Sequence, residues 1–299
     1  MDSARDRFLA FRRTIPRAPA LDRQTVRVRG LALAVFTSPP VNDAPPLLCV
    51  NGGMIVDHVM LWPALSPLAE SRQLILYDQR GRGASQPPAD PLAARIEDDV
   101  MDVPALRRAL GIRQWDVLGH SWGGGIAMLA TAADPAGVRR LALVDSVGDT
   151  SSWMAPLRAE ALARANAEDR AALEGIPEQA LGAPEVGVHL AHLHASYASW
   201  FVDRAFASTF PMPKRASETG TAVLAQLRRD GYDWRDRVRA IRAPTLVLHG
   251  EGDALSPDVA RELAAAIPGA RMSLLPHSGH FPFWEAPVEL FAALSAFLA

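Results

Sequence analysis

The pentapeptide Gly119-His120-Ser121-Trp122-Gly123 constrains the fold of this chain more than any other segment. It follows an apolar run typical of a strand, 115–119, and precedes a small-residue segment typical of a helix, 123–133. A G-x-S-x-G sequence between a strand and a helix requires a very tight turn, which strains the serine backbone and raises the hydroxyl above the sheet edge. The two glycines let neighbouring backbone come close without a Cβ clash. The pattern therefore predicts that Ser121 is a nucleophile.

Two later loops supply the partners that a nucleophilic serine needs, a base and an acid that orients the base. Segments 244–250 and 271–275 are apolar and predict strands, and Asp253 and His280 follow them. In a parallel sheet both loops open at the edge that carries the serine turn. Asp145 is an alternative acid, and His249 and His277 are alternative bases.

Four sequence blocks make this chain resemble the α/β-hydrolase superfamily, and within it the proline iminopeptidase-like serine hydrolases. They are Asn51-Gly52-Gly53, the run YDQRGRGAS at 77–85, the serine pentapeptide, and the loops of Asp253 and His280. The chain order of serine, aspartate and histidine is the order of that superfamily. The first loop, Asn51-Gly52-Gly53-Met54-Ile55, differs from the His-Gly-Gly-Pro-Gly of the iminopeptidase branch.

The resemblance implies roles for individual residues. It favours Asp253 as the acid and His280 as the base, since the Ser-Gly-His-Phe run places His280 where the family has its loop histidine. It also implies that the backbone N–H groups of Gly53 and Trp122 form an oxyanion hole, which would stabilise the charge that develops on an attacked carbonyl oxygen. This chemistry needs no cofactor and no metal.

The alternation of predicted strands and helices favours a mostly parallel sheet flanked by helices, and it stops between 148 and 239. We predict an α/β-hydrolase core at 1–147 and 240–299, with an inserted helical cap at 148–239. A cap would cover the serine and shape the substrate site. Aromatic residues of the cap are candidates for substrate binding or for packing onto the core: Trp153, Tyr197, Trp200 and Phe201.

Composition excludes several classes of protein. The net charge of −2 does not favour a nucleic-acid binder, and the single cysteine, Cys49, cannot form an internal disulfide. No apolar run is long enough for a membrane span, and the N-terminal residues do not form a secretory signal, so we expect a cytoplasmic protein. Three cap histidines, His189, His192 and His194, are too poorly spaced for a metal site.

These observations predict a serine hydrolase that cleaves a small ester or amide through an acyl-enzyme. The substrate would be a small molecule or a short peptide. An aminopeptidase would need an acidic receptor for the free amine of its substrate, and six cap glutamates are candidates: Glu160, Glu168, Glu174, Glu178, Glu185 and Glu218. A carboxylesterase or lactonase with an apolar acyl pocket needs no such receptor. A lyase or ligand receptor on the same fold is a third alternative, since fold does not fix function.

Overall fold

Eight strands form one sheet in the computed structural model, which describes residues 3–41, 43–210 and 212–299. The strands are β1 Asp22–Val28, β2 Leu31–Thr37, β3 Leu47–Val50, β4 Leu74–Tyr77, β5 Trp115–His120, β6 Val138–Val144, β7 Thr245–Gly250 and β8 Arg271–Leu275. Their spatial order is β1-β2-β4-β3-β5-β6-β7-β8. β2 runs antiparallel to β1 and β4, and the other neighbours are parallel. The loops that follow β5, β6, β7 and β8 therefore open at one edge.

Helices cover both faces of this sheet. The described residues form α1 Ala4–Thr14, α2 Ile96–Ala109, α3 Trp122–Ala133, α4 Met154–Arg164, α5 Ala167–Glu174, α6 Val186–Ser196, α7 Arg204–Ala207, α8 Glu218–Asp230, α9 Arg235–Arg239, α10 Pro257–Ala266, α11 Pro282–Glu285 and α12 Pro287–Leu298. Within these residues, no helix combines the length and the apolar character that crossing a membrane requires.

The core lies in two layers because side chains of a strand alternate between the sheet faces. On β3, Leu48 and Val50 join a layer that includes residues of α2, α3 and α10. Leu47 and Cys49 point to the opposite layer, which includes residues of α12. Strands β3 and β4 are therefore apolar and buried along their whole length, as expected for strands covered on both faces.

Six helices, α4 to α9, lie between β6 and β7, and we call them the helical insertion. The sequence pattern predicts one helix over 186–206, but α6 ends at Ser196 and is followed by a 3₁₀ turn and the short α7. Beyond this turn, Oε1 of buried Glu285 accepts the N–H groups of Val202 and Asp203 at 3.0 and 3.1 Å. These N–H groups consequently make no helical hydrogen bonds.

Candidate active site

The turn between β5 and α3 holds Ser121 in a strained backbone conformation, with φ 54° and ψ −123°. Non-glycine residues rarely adopt positive φ. The strain is held in place because close packing surrounds the turn. A Cβ on Gly119 would lie 2.6 Å from the Cα of Gly124, and a Cβ on Gly123 would collide with the carbonyl oxygen of Val50. Glycine at both positions lets β5, α3 and β3 approach each other.

Ser121, His280 and Asp253 form a continuous chain of hydrogen-bonded side chains. The Nε2 of His280 lies 2.9 Å from the Oγ of Ser121, and its Nδ1 lies 2.7 Å from the Oδ2 of Asp253. All three residues are buried. The loops after β5, β7 and β8 carry these residues, so the parallel order of the strands brings together side chains that are far apart in sequence.

Electrostatics favours an ionised Asp253 in this chain. Burial acts to raise the pKa of Asp253, but the charge and hydrogen bond of His280 outweigh it and leave the pKa below its ordinary value. The other oxygen, Oδ1, accepts the N–H of Leu255 at 2.9 Å. An ionised Asp253 accepts a hydrogen bond from the Nδ1–H of His280, which leaves Nε2 unprotonated and able to accept the hydroxyl proton of Ser121.

The alternative acid and base occupy different places. The carboxyl of Asp145 accepts the N–H of Gly250 at 2.8 Å and forms no hydrogen bond with His280 among the described contacts. Burial, with the nearby charge of Asp253, raises the pKa of Asp145 well above its ordinary value, which favours a neutral carboxyl. His277 is exposed and lies in the same loop as His280. Neither residue contacts Ser121 in the described structure.

Two residues hold the His280 loop in position: His120, which the sequence places in the serine turn as a supporting residue, and Glu285, which sequence reasoning missed. His120 is buried, and burial with the charge of His280 lowers its pKa to about 3, so the neutral ring donates from Nε2 to the carbonyl of His280 at 2.8 Å. Glu285 lies beneath the loop and accepts the N–H of Gly279 at 2.8 Å through Oε2. A glutamate three residues beyond an apolar Phe-Pro pair carries no recognisable signal in a single sequence.

The two predicted oxyanion donors lie beside the serine. Gly53 and Trp122 both line the same cavity as Ser121. Trp122 is the first residue of α3, so its N–H has no partner within the helix. Neither N–H has a hydrogen-bond acceptor among the described residues. Gly53 and Trp122 therefore bring two N–H groups without a described acceptor to the cavity that contains Ser121.

A cavity of about 800 Å³ lies between the serine turn and the helical insertion. Trp153, Tyr197 and Trp200 line it, and the Trp200 ring lies 4.3 Å from the His280 ring, centroid to centroid. Phe201 does not line it, in contrast to the sequence-based assignment. The Phe201 ring is buried and stacks with Trp284. Helical spacing alone could not separate Phe201 from Trp200, because the helix predicted through both residues ends before them.

The candidate glutamates and histidines of the cap also differ in whether they line the cavity. Of the six glutamates, Glu178 lines the cavity and the other five are absent from its described lining. His189 and His192 line it, whereas His194 makes a 2.7 Å contact with the carbonyl of Pro213.

Two groups of acidic and histidine side chains in the described part of the chain have potential ligand atoms within 4.8 Å of one another. They are Asp57, His58 and Asp78, and Asp145, His249 and Asp253. Neither group includes a cap histidine. Each group already contains a hydrogen-bonded histidine. In the first group His58 bonds to Asp78 at 2.7 Å, and in the second His249 bonds to the carbonyl of Leu255 at 2.7 Å.

Known proteins resemble this chain over most of its length. The proline iminopeptidase of Lactobacillus delbrueckii subsp. bulgaricus is 27% identical over 269 residues, 86% of this chain and 90% of that protein. Among solved structures, VinJ aligns with a TM-score of 0.72 at 21% identity, over 94% of this chain and 99% of VinJ. The proline iminopeptidase of Mycobacterium smegmatis aligns with a TM-score of 0.69 at 25% identity, over 93% and 97% of the two chains. A family model of the alpha/beta hydrolase fold matches residues 45–287. The expected fold is thereby confirmed, and the chain is a hydrolase that belongs to the alpha/beta hydrolase family.

Proposed function

We propose that this protein is a serine hydrolase that cleaves a small ester or amide through an acyl-enzyme. The hydrogen-bonded chain from Asp253 through His280 to Ser121 carries this proposal. The strained turn presents Ser121 at the wall of a cavity large enough for a small organic substrate. An acid, a base and a nucleophile in contact are the arrangement that activates a hydroxyl group.

The reaction would proceed in two steps. The Nε2 of His280 removes the hydroxyl proton as Oγ of Ser121 attacks the carbonyl carbon, and the N–H groups of Gly53 and Trp122 stabilise the resulting oxyanion. His280 then gives the proton to the leaving alcohol or amine, and the acyl group stays on Ser121. A water molecule, deprotonated by the same nitrogen, attacks the acyl-enzyme; the bond from the acyl carbon to Oγ breaks, His280 returns the proton to Ser121, and the acid is released. Asp253 holds His280 in the required tautomer and stabilises its charged form.

Proline iminopeptidase activity is the second candidate. The similarity to proline iminopeptidases favours it. Such an activity requires a carboxylate that receives a free amine, and Glu178 is the one cap candidate in the described cavity lining. The first loop, Asn51-Gly52-Gly53, differs from the pattern of that branch.

Hydrolysis assays separate these candidates. The purified protein is offered p-nitrophenyl esters of varied chain length and the p-nitroanilides of proline and alanine, with and without N-acetylation. We expect ester turnover that Ser121→Ala abolishes. As a matched control, Ser152→Ala changes an exposed cavity serine whose hydroxyl contacts Thr150 at 2.9 Å instead of a histidine, and turnover should persist.

The outcomes are distinct. Turnover of the free anilides that disappears on N-acetylation would favour the iminopeptidase. Undiminished turnover in Ser121→Ala would refute the proposed nucleophile.

A further inference from the structure

The cavity that contains Ser121 also contains two arginines without carboxylate partners. Arg158 on α4 and Arg228 on α8 both line it. Neither forms an ion pair with an acidic side chain in residues 3–41, 43–210 or 212–299. The neighbouring Arg229, in contrast, pairs with Asp230 at 2.8 Å. Arg158 and Arg228 therefore differ from this neighbour in having no acidic partner among the described residues.

Each of these arginines has a buried donor that lacks an acceptor. The Nη2 of Arg158 donates to the carbonyls of Leu173 and Ile176 at 3.0 and 2.8 Å, but its Nη1 is shielded from solvent and has no hydrogen-bond partner. The Nη1 of Arg228 is likewise shielded from solvent and has no hydrogen-bond partner, and no described hydrogen bond involves its guanidinium. Buried donors are almost always satisfied, since an unsatisfied one costs free energy. Two of them in one cavity indicate a ligand that accepts hydrogen bonds.

The charges around the two guanidinium groups favour an anion. Burial, followed by the charge of Arg158, lowers the pKa of Arg228 to about 10, and Glu178 opposes this in part. Arg228 remains a cation at neutral pH. Burial lowers the pKa of His192 to about 3, so this neighbour is neutral. Arg158 and Arg228 thus line the cavity together with a third arginine, Arg229, and with one acidic residue, the exposed Glu178, which forms no ion pair among the described residues.

We propose that Arg158 and Arg228 bind a carboxylate or similar oxyanion on the acyl part of the substrate. The inference rests on the proposed hydrolysis at Ser121. A planar guanidinium donates to a carboxylate with matching geometry. Apolar side chains in the same cavity, Leu157 and Leu193 among them, would contact an alkyl chain between the anion and the scissile carbonyl.

We assign the anion to the acyl part, which remains bound through both steps of the proposed reaction. The substrate class that this assignment predicts is a monoester or monoamide of a dicarboxylic acid.

Kinetic measurements on half-esters test this proposal. The substrates are p-nitrophenyl half-esters of dicarboxylic acids from adipate to sebacate, which are long enough to avoid intramolecular attack by the carboxylate. Each is compared with a neutral ester in which a methyl group replaces the terminal carboxylate. For the best chain length, we expect kcat/KM of the half-ester to exceed that of its neutral match by about 10-fold or more, the effect of a charge-assisted hydrogen bond.

Arg228→Met is the informative variant because Arg228 makes no described hydrogen bond that folding would lose. It should reduce the preference for the half-ester to about twofold or less. The kcat/KM of the neutral ester should stay nearly unchanged, because the reacting groups at Ser121 are intact and this ester has no carboxylate for Arg228 to bind. Arg228→Lys, which keeps a positive charge, should retain part of the preference. Arg229→Met, which removes an arginine already paired with Asp230, should retain all of it.

Calorimetric titration of Ser121→Ala with suberate provides a readout that does not depend on turnover. We expect binding that is lost in the Ser121→Ala, Arg228→Met double variant. If esters are hydrolysed without preference and suberate does not bind, the arginine proposal is overturned and the proposed function stands. If no ester is hydrolysed, the proposed function fails, and the titration still decides the arginine proposal. An equal loss for neutral and anionic esters in Arg228→Met would show a structural role and would also overturn it.

Discussion

Replacing Glu285 by glutamine should change how stability depends on pH. Glu285 has 0% exposure, and its oxygens accept the N–H groups of Val202, Asp203 and Gly279. Burial raises its pKa from 4.5 to about 7, although these hydrogen bonds act in the opposite direction. The native protein therefore keeps this carboxyl protonated at pH values where the unfolded chain has already ionised it.

The sign and size of the effect follow from this difference. Between pH 4.5 and about 7, the folded state binds more protons than the unfolded state at this site, so stability falls as pH rises. Each pKa unit corresponds to about 1.4 kcal/mol, and the change from 4.5 to about 7 therefore corresponds to a loss of roughly 3 kcal/mol. The loss is absent below pH 4.5 and complete above the folded pKa. Glutamine does not titrate and should remove this component.

Urea unfolding of the wild type and of Glu285→Gln between pH 4.5 and 8 measures the effect. The free energy of unfolding of the wild type, minus that of the variant, should fall by roughly 3 kcal/mol across this window. Asp99, whose pKa burial raises to about 6, is present in both proteins, so its contribution cancels. Glu289→Gln, at an exposed position of α12, is the control and should give a constant difference. Parallel profiles for wild type and Glu285→Gln would refute the reasoning.

Three further predictions concern the site and its scaffold. Asp253→Asn should lower kcat by roughly 10³–10⁴ because it disturbs the histidine tautomer, whereas Asp145→Asn should cost far less; equal losses in steady-state assays would contradict this assignment. Gly123→Ala should lower the free energy of unfolding by about 1–3 kcal/mol through a backbone collision. Gly187→Ala, in helix α6 where a Cβ meets nothing within 4 Å, should leave it unchanged or raise it by up to about 1 kcal/mol, because alanine favours a helix more than glycine does. Burial raises the pKa of the Cys49 thiol, so a disulfide reagent should label it only after unfolding; rapid labelling of the native protein would disagree.

The serine turn was predictable from sequence because its determinants are local. Gly119 and Gly123 indicate that backbone segments approach closely at the turn. The apolar run before Ser121 indicates a strand that is covered on both faces. Strands β3 and β8 have the bounds that the apolar runs predict, Leu47–Val50 and Arg271–Leu275. In each case the signal lies within a few residues of the feature itself.

The features that escaped prediction depend on contacts between distant segments. The helix predicted through 186–206 cannot continue through Val202 and Asp203, because their backbone N–H groups donate to Glu285, more than 80 positions away in sequence. Arg158 and Arg228 come from two different helices of the insertion and line one cavity. A single sequence does not show which arginines have an acidic partner in the folded protein.

Labelling with a fluorophosphonate, followed by peptide mass mapping, tests the central proposal most directly. Such a reagent phosphonylates a serine only where a neighbouring base activates the hydroxyl. We predict one covalent adduct per chain, located on Ser121, and none in Ser121→Ala. Labelling should be strongly slowed in His280→Gln. An adduct on another residue, or an unlabelled Ser121 in the folded protein, would contradict the assignment of Ser121, His280 and Asp253 as the reacting group, its base and the acid that orients it.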